Sequence, residues 1–151
     1  MTSFHDRTPQ QTADHVRERM YANDRASKAL GMRIVAMTPG RATLAMTVRD
    51  DMLNGHDTCH GGFIAALADS AFAFACNSGN QLTVASGFAI EFVAPARAGD
   101  VLTAACEETA KAGRSGVYDT VVSNQRGERI AVFRGRSHTI AGKPAVEEAA
   151  P

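Results

Sequence analysis

Apolar and polar positions divide the chain into one long apolar block and several alternating ones. The apolar block, "FIAALADSAFAFAC", has only two polar side chains in fourteen residues. Its Ala, Phe, Ile and Leu fall on all sides of a helix, so the spacing predicts a helix covered nearly all round. Before it, Ala13, Val16 and Met20 mark one face of a helix from Pro9 to Tyr21. Asp24 then caps a short helix ending at Gly31. "MRIVAMTPGRATLAMTVRD" reads as a hairpin turning at Pro39-Gly40. After the long helix come four strand segments: "LTVASGFAIEFVA", closed by Pro95, then "DVLTAACEETAK", "GVYDTVVSN" and "RIAVFRGRSHTI". Three short connections join them, which predicts antiparallel neighbours.

Strands do not alternate with helices, so the class is α+β rather than α/β. A curved antiparallel sheet wrapped round one central helix satisfies the pattern. At 151 residues the chain is long enough to bury a core as one domain, over 8–141. Residues 1–7 and the tail 142–151 are expected to be disordered.

Composition narrows the partners. Sixteen basic side chains balance sixteen acidic ones, and there is no Trp and only two Tyr. Neither a nucleic-acid footprint nor an anionic-membrane surface is expected. The start "MTSFHDRTPQQ" lacks a signal-peptide core, and the apolar block is too short to span a bilayer. A cytoplasmic location is expected. The three cysteines, Cys59, Cys76 and Cys106, are too few and too scattered for a disulfide framework or paired zinc clips.

Candidate chemistry gathers in "NGHDTCHGG", just before the apolar block. His56, Asp57, Cys59 and His60 are competent metal ligands, but the rest of the chain adds only single candidates such as His138. Cys59 lies near a helix N-terminus, where a thiolate is stabilised. Its neighbour His60 is badly placed to take its proton, and a small buried thiol is the simpler reading. A third possibility lies in the backbone. Gly61 and Gly62 open the helix, where unbonded N–H groups at the positive end suit an oxyanion. His60 would then fix the helix start and Asn54 would add a polar contact. A plain helix start with packing glycines fits the same residues.

Asp69 favours the backbone reading. It is a lone carboxylate among Leu67, Ala68, Ala71 and Phe72, and a buried acid is costly unless paired or used. Gly61 and Asp69 are eight residues apart, roughly 12 Å along a helix. One helix cannot bring both to one bond, but two antiparallel copies can, so a twofold dimer with two shared sites is expected.

On these residues the chain resembles the hotdog-fold acyl-CoA thioesterases, in their phenylacetic-acid-degradation branch. The matching stretches are "MLNGHDTCHGGFIAALADSAFAFACNS", "VASGFAIEFVAPARAGDVLTA" and "GVYDTVVSNQRGERIAVFRGRSHTI". The resemblance covers roughly Met20 to Ile140. It implies a hotdog fold, paired subunits sharing a continuous sheet, and often a dimer of dimers. It implies hydrolysis of phenylacetyl-CoA or hydroxyphenylacetyl-CoA to free acid and CoA, with no cofactor beyond the CoA of the substrate and no metal. Asn54 and the Gly61 amide match the family's thioester-carbonyl contacts. His60 matches the histidine of its HGG motif, and Asp69 its catalytic carboxylate, acting as general base or as nucleophile. Thr83 and Ser86 are candidates for an assisting hydroxyl. Lys111, Gly113, Arg114, Arg134 and Arg136 are candidates for the CoA phosphates, against the simpler reading of a solvated charged face. Phe63, Phe72 and Phe74 are open to the acyl pocket or the core. Another hotdog enzyme, such as a hydroxyacyl dehydratase, and a non-catalytic acyl-CoA-binding module are the alternatives.

Overall fold

A computed structural model of the protein describes residues 6–148. The elements follow from local signals. Helix α1 (Pro9–Ala22) opens with Pro at its first position and a capping box. Thr8 Oγ1 accepts from the Gln11 N–H, and Gln11 Oε1 accepts from the Thr8 N–H. Helix α2 (Arg25–Ala29) is capped by Asp24, whose carboxylate accepts from the Ser27 N–H and hydroxyl. Strands β1 (Arg33–Thr38) and β2 (Arg41–Thr47) form the hairpin, with Gly40 at φ 75° in its turn.

Helix α3 (Gly61–Cys76) follows, then β3 (Thr83–Phe92), β4 (Val101–Ala112), β5 (Ser115–Ser123) and β6 (Arg129–Thr139). All six strands join one antiparallel sheet in the order β1-β2-β4-β5-β6-β3. The sheet curves round α3, whose Ile64, Leu67, Ala68, Ala71, Phe72, Phe74 and Ala75 are buried. Asn77 ends the helix. Its side-chain N–H groups reach the Ala73 and Thr83 carbonyls, and its oxygen accepts from the Thr83 N–H. One side chain therefore closes the helix and starts β3. This is the wrapped-helix architecture that the sequence pattern implies.

One neighbour relation differs from expectation. Strand β3 does not pair with β4; it pairs with β6 and forms one edge of the sheet. The link 93–100 is no hairpin. The Cys59 N–H binds the Ala96 carbonyl at 2.7 Å, and the Asp100 carbonyl and Gly99 N–H bind Val48 at the end of β2. The link thus carries the chain across the mouth of the sheet, and β4 starts beside β2.

The tail also differs. Residues 142–148 are hydrogen-bonded rather than loose. The Leu82 N–H binds the Lys143 carbonyl, and Asn80 takes the N–H groups of Ala145 and Val146. Asn80 manages both because its left-handed φ of 57° turns its carbonyl and side chain to the same strap. Arg7 reaches Glu148 at 3.3 Å. The remainder of the two termini expected to be disordered, residues 1–5 and 149–151, lies outside the described residues. Among the described residues no helix is long and apolar enough to cross a membrane.

Candidate active site

The loop before α3 is held by Asn54. Its side-chain oxygen accepts from the N–H groups of His56 (2.9 Å) and Thr58 (3.2 Å), and its own N–H binds the Thr58 carbonyl at 2.8 Å. Asp57, at φ 58°, completes the tight turn. The acceptor side of the Asn54 amide is therefore spent on the loop. One hydrogen of its NH2 lies toward Thr58 Oγ1 at 2.9 Å, which leaves the second as its donor to a ligand.

His60 caps α3. Its N–H binds the Met52 carbonyl and its Nδ1 accepts from the Gly62 N–H at 3.3 Å. The ring also stands edge-on to Phe63 at 6.3 Å. Gly62 and His60 N–H groups are thereby satisfied, while the Gly61 N–H has no acceptor among the described residues. A Cβ on Gly61 would lie 3.0 Å from Cζ of Phe92, a tight contact that the ring would have to relieve by moving. Around Gly61 opens a cleft of about 410 Å³, lined by Thr58, Cys59, Ile64, Phe92 and Pro95.

The side chains that first draw attention play no such part. Cys59 is buried, its Sγ directed at the His60 carbonyl, and burial pushes its thiol pKa up. That is the opposite of an activated thiolate. His56 is exposed, and among the described residues no three His, Cys, Asp or Glu side chains gather as a metal site would require.

Asp69 lies two turns down α3. It is half-buried, no donor among the described residues binds its carboxylate, and desolvation raises its pKa. It belongs to the one side of α3 that the sheet leaves open, with Gly62, Ala65, Ala73 and Cys76. Against α3 runs β3, one of the two edge strands of the sheet. Phe88 and Phe92 point to the helix side, against the Phe133 ring and Gly61 respectively, yet are 48 % and 50 % exposed. Val84 and Val93 add to this apolar edge. An edge of this kind is a template for a second strand. Within one chain Gly61 and Asp69 stay about 12 Å apart along the axis.

The remaining candidates scatter. Phe72 is core, 1 % exposed between Tyr118 and Phe133. Gly135 makes room for it, since a Cβ there would lie 2.8 Å from the ring. Phe74 is also buried, against Tyr21, whereas Phe63 is half-buried at the mouth. Arg134 does not stand free for a phosphate, because Asp119 holds its guanidinium with two bonds of 2.7 and 2.9 Å. Arg136 has no carboxylate partner among the described residues and lies over Gly87 of β3. Gly113 and Arg114 form the β4–β5 turn beside the tail, and Lys111 lines a different cleft near the end of α3. The five do not converge. Thr83 spends its hydroxyl on Gln81 and Thr139 inside the fold. Ser86 is exposed at a bulge in β3 and donates to the Arg136 carbonyl. The aromatic pair Phe88 and Phe92 escaped the sequence reading. Their spacing with Ile90 in "FAIEF" was the available signal, because alternate strand positions share a face.

Comparison with known proteins supplies the family. The thioesterase superfamily model matches residues 56–131, which span the loop, α3 and most of the sheet. The acyl-coenzyme A thioesterase PaaI of Escherichia coli K12 is 49% identical over 123 residues, 82% of this chain and 88% of the relative. The solved structure of E. coli PaaI, from the phenylacetic acid degradation operon, superposes with a TM-score of 0.88 at 45% identity. That match covers 90% of this chain and 99% of the other. A mutant structure of the phenylacetic acid degradation protein PaaI from Thermus thermophilus gives 0.75 at 36% identity, covering 78% and 100%. The chain belongs to the thioesterase superfamily and is a thioester hydrolase.

Proposed function

We propose that the protein hydrolyses acyl-CoA thioesters of the phenylacetyl and hydroxyphenylacetyl class, as a homodimer with two shared sites. The observation that carries this reading is Asp69. It is a half-buried carboxylate without a donor, on the open stripe of a helix whose first N–H also lacks a partner. The unpaired edge of β3 and its half-exposed phenylalanines support pairing with a second copy. Antiparallel pairing would set Gly61 of one chain against Asp69 of the other. Relatives from phenylacetic acid degradation support the aryl-acetyl substrate, and the acyl-CoA class is the activity named for the E. coli relative.

In this reading the thioester oxygen accepts from the Gly61 N–H, aided by the helix dipole and the free Asn54 donor. Asp69 then removes a proton from water as the water oxygen bonds to the carbonyl carbon. The C–S bond breaks, and CoA leaves as a thiolate that takes up a proton. In the nucleophilic variant the carboxylate itself attacks, and water hydrolyses the resulting anhydride. The pKa-raising burial of Asp69 makes it a stronger base than a solvated aspartate.

The test is steady-state hydrolysis of phenylacetyl-CoA by the wild type and by Asp69→Asn. The expected loss in kcat is about 10³-fold, with substrate binding retained. Unchanged turnover in Asp69→Asn would remove Asp69 from the chemistry. Single turnover in ¹⁸O-water then separates the two routes, because only nucleophilic attack places label in the Asp69 carboxylate.

A further inference from the structure

The sheet has a second edge, β1, at the opposite end from β3. Among the described residues β1 pairs only with β2, so its other side carries main-chain groups that no strand takes up. Side chains of α1 reach three carbonyls there. The Tyr21 hydroxyl donates to the Met32 carbonyl at 2.6 Å, just ahead of β1. Arg17 Nη2 donates to the Ile34 carbonyl at 2.7 Å, and Gln10 Nε2 to the Met37 carbonyl at 2.9 Å. The second Gln10 hydrogen goes to Asp14 Oδ1. Alternate carbonyls of a strand point to the same side. Met32 and Ile34 are two residues apart. Beyond Ile34 the register with β2 slips at a bulge, where Val35 is the extra residue. Met37 is therefore the next carbonyl on the side of Met32 and Ile34.

The donors are spaced to match. Gln10, Arg17 and Tyr21 fall within about 40° of one another around the helix axis. From Tyr21 to Arg17 is roughly 6 Å along that axis, and from Arg17 to Gln10 roughly 10 Å. Steps of two and three residues along a strand, at roughly 3.3 Å each, cover the same lengths. The buried Ala13 and Val16 seat the helix, and the polar stripe follows the strand in the opposite direction. We propose that α1 stands in for a further strand and closes the β1 edge to a second copy of the chain. A dimer paired through β3 keeps one β1 edge at each end of its continuous sheet. With α1 lifted, β1 of one dimer meets β1 of the next. Each added dimer then presents a fresh edge, so the array stays open rather than closing. Val35, 52 % exposed at the bulge, adds an apolar side chain to that edge. This partner rests on the β3 pairing proposed above. The side-chain bonds from α1 to β1 do not depend on it.

The experiment measures mass by light scattering over a range of concentrations, on the full chain and on the triple variant Gln10→Ala, Arg17→Ala, Tyr21→Phe. Phenylalanine keeps the ring that packs on Phe74. The wild type should hold one mass throughout. The triple variant should grow with concentration in steps of a dimer, reaching at least about twice the wild-type mass. Hydrolysis per chain should stay within about twofold, because the growing edge lies away from Gly61 and Asp69. Adding Val35→Lys to the triple variant should return the wild-type mass, since a charge on the edge blocks strand addition. Arg17→Ala alone should grow less, and it replaces the triple variant if that chain does not fold. A dimeric wild type whose variants also stay dimeric would overturn this inference alone. So would growth that persists with Val35→Lys, which would mean association through another surface. A wild type that is monomeric throughout would overturn the β3 pairing and this inference together.

Discussion

Asp69 and Asp100 are both withdrawn from solvent, and their surroundings are opposite. Asp100, 5 % exposed, receives the Arg97 N–H and the Gln125 amide at 2.9 Å each, with Arg126 at 3.5 Å. Those donors hold its pKa below the usual carboxylate range, the Arg97 N–H contributing most. Asp69 has burial without donors, and its pKa rises. The first carboxylate ties the link 93–100 to the start of β4. The second carries a cost that no hydrogen bond or ion pair among the described residues offsets. A fold keeps such a group where it is used, so on the mechanism proposed above the contrast separates a structural acid from a catalytic one.

Substitutions sharpen that contrast. The largest effect belongs to Asp69→Asn, which should remove turnover while raising Tm by about 1–3 °C, because an unpaired buried charge is lost. A thermal scan beside the activity assay checks both. The signs in pH are also opposite. A raised folded-state pKa means that Asp69 favours the fold below its unfolded pKa, and that this contribution is lost as pH rises through the folded value. Asp100 contributes above its unfolded pKa and loses that contribution as pH falls through its depressed one. Asp69→Asn should therefore gain stability at neutral pH and little in acid. The acid limb of kcat/KM in the wild type should lie above an ordinary aspartate pKa, and a limb at the ordinary value would contradict the desolvated environment.

Gly61→Ala comes next. The added methyl meets the Phe92 ring at 3.0 Å and should displace the carbonyl from the N–H, lowering kcat/KM by about 10²-fold. Asp100→Ala reverses the pattern, costing about 1–3 kcal/mol in denaturant unfolding with specific activity of the folded protein retained. The smallest effect is expected of Arg134→Ala. Its exposed pair with Asp119 should be worth under about 1 kcal/mol, and KM for the CoA substrate should not move. A several-fold rise in KM would return Arg134 to the phosphate site.

Local features of the fold were legible in the sequence. The Asp24 cap, the Pro39-Gly40 hairpin and the helix after His60 depend on residues within a turn or two of each other. The position of β3 was not, because pairing with β6 joins Thr83 to Thr139, 56 residues further along the chain. The charge of Arg134 was visible but its partner was not, since the pairing with Asp119 depends on the β5–β6 register. Phe72 and Phe88 look alike as letters. One is sealed by the Gly135 gap and the other stands on an unpaired edge, and only the folded chain separates them. Asp69 and Gly61 stood out as a candidate pair because their eight-residue spacing on one helix, if both act on one bond, excludes a site within one chain.

That exclusion is the central claim, and mixed dimers test it directly. Asp69→Asn and Gly61→Ala chains, each nearly inactive alone, are co-expressed with different tags and assayed together. Random pairing makes half of the dimers mixed, and each mixed dimer holds one intact site, so about a quarter of wild-type activity should return. Activity that stays at the level of the separate variants would mean that Gly61 and Asp69 of the same chain serve one site, and would contradict the shared-site account.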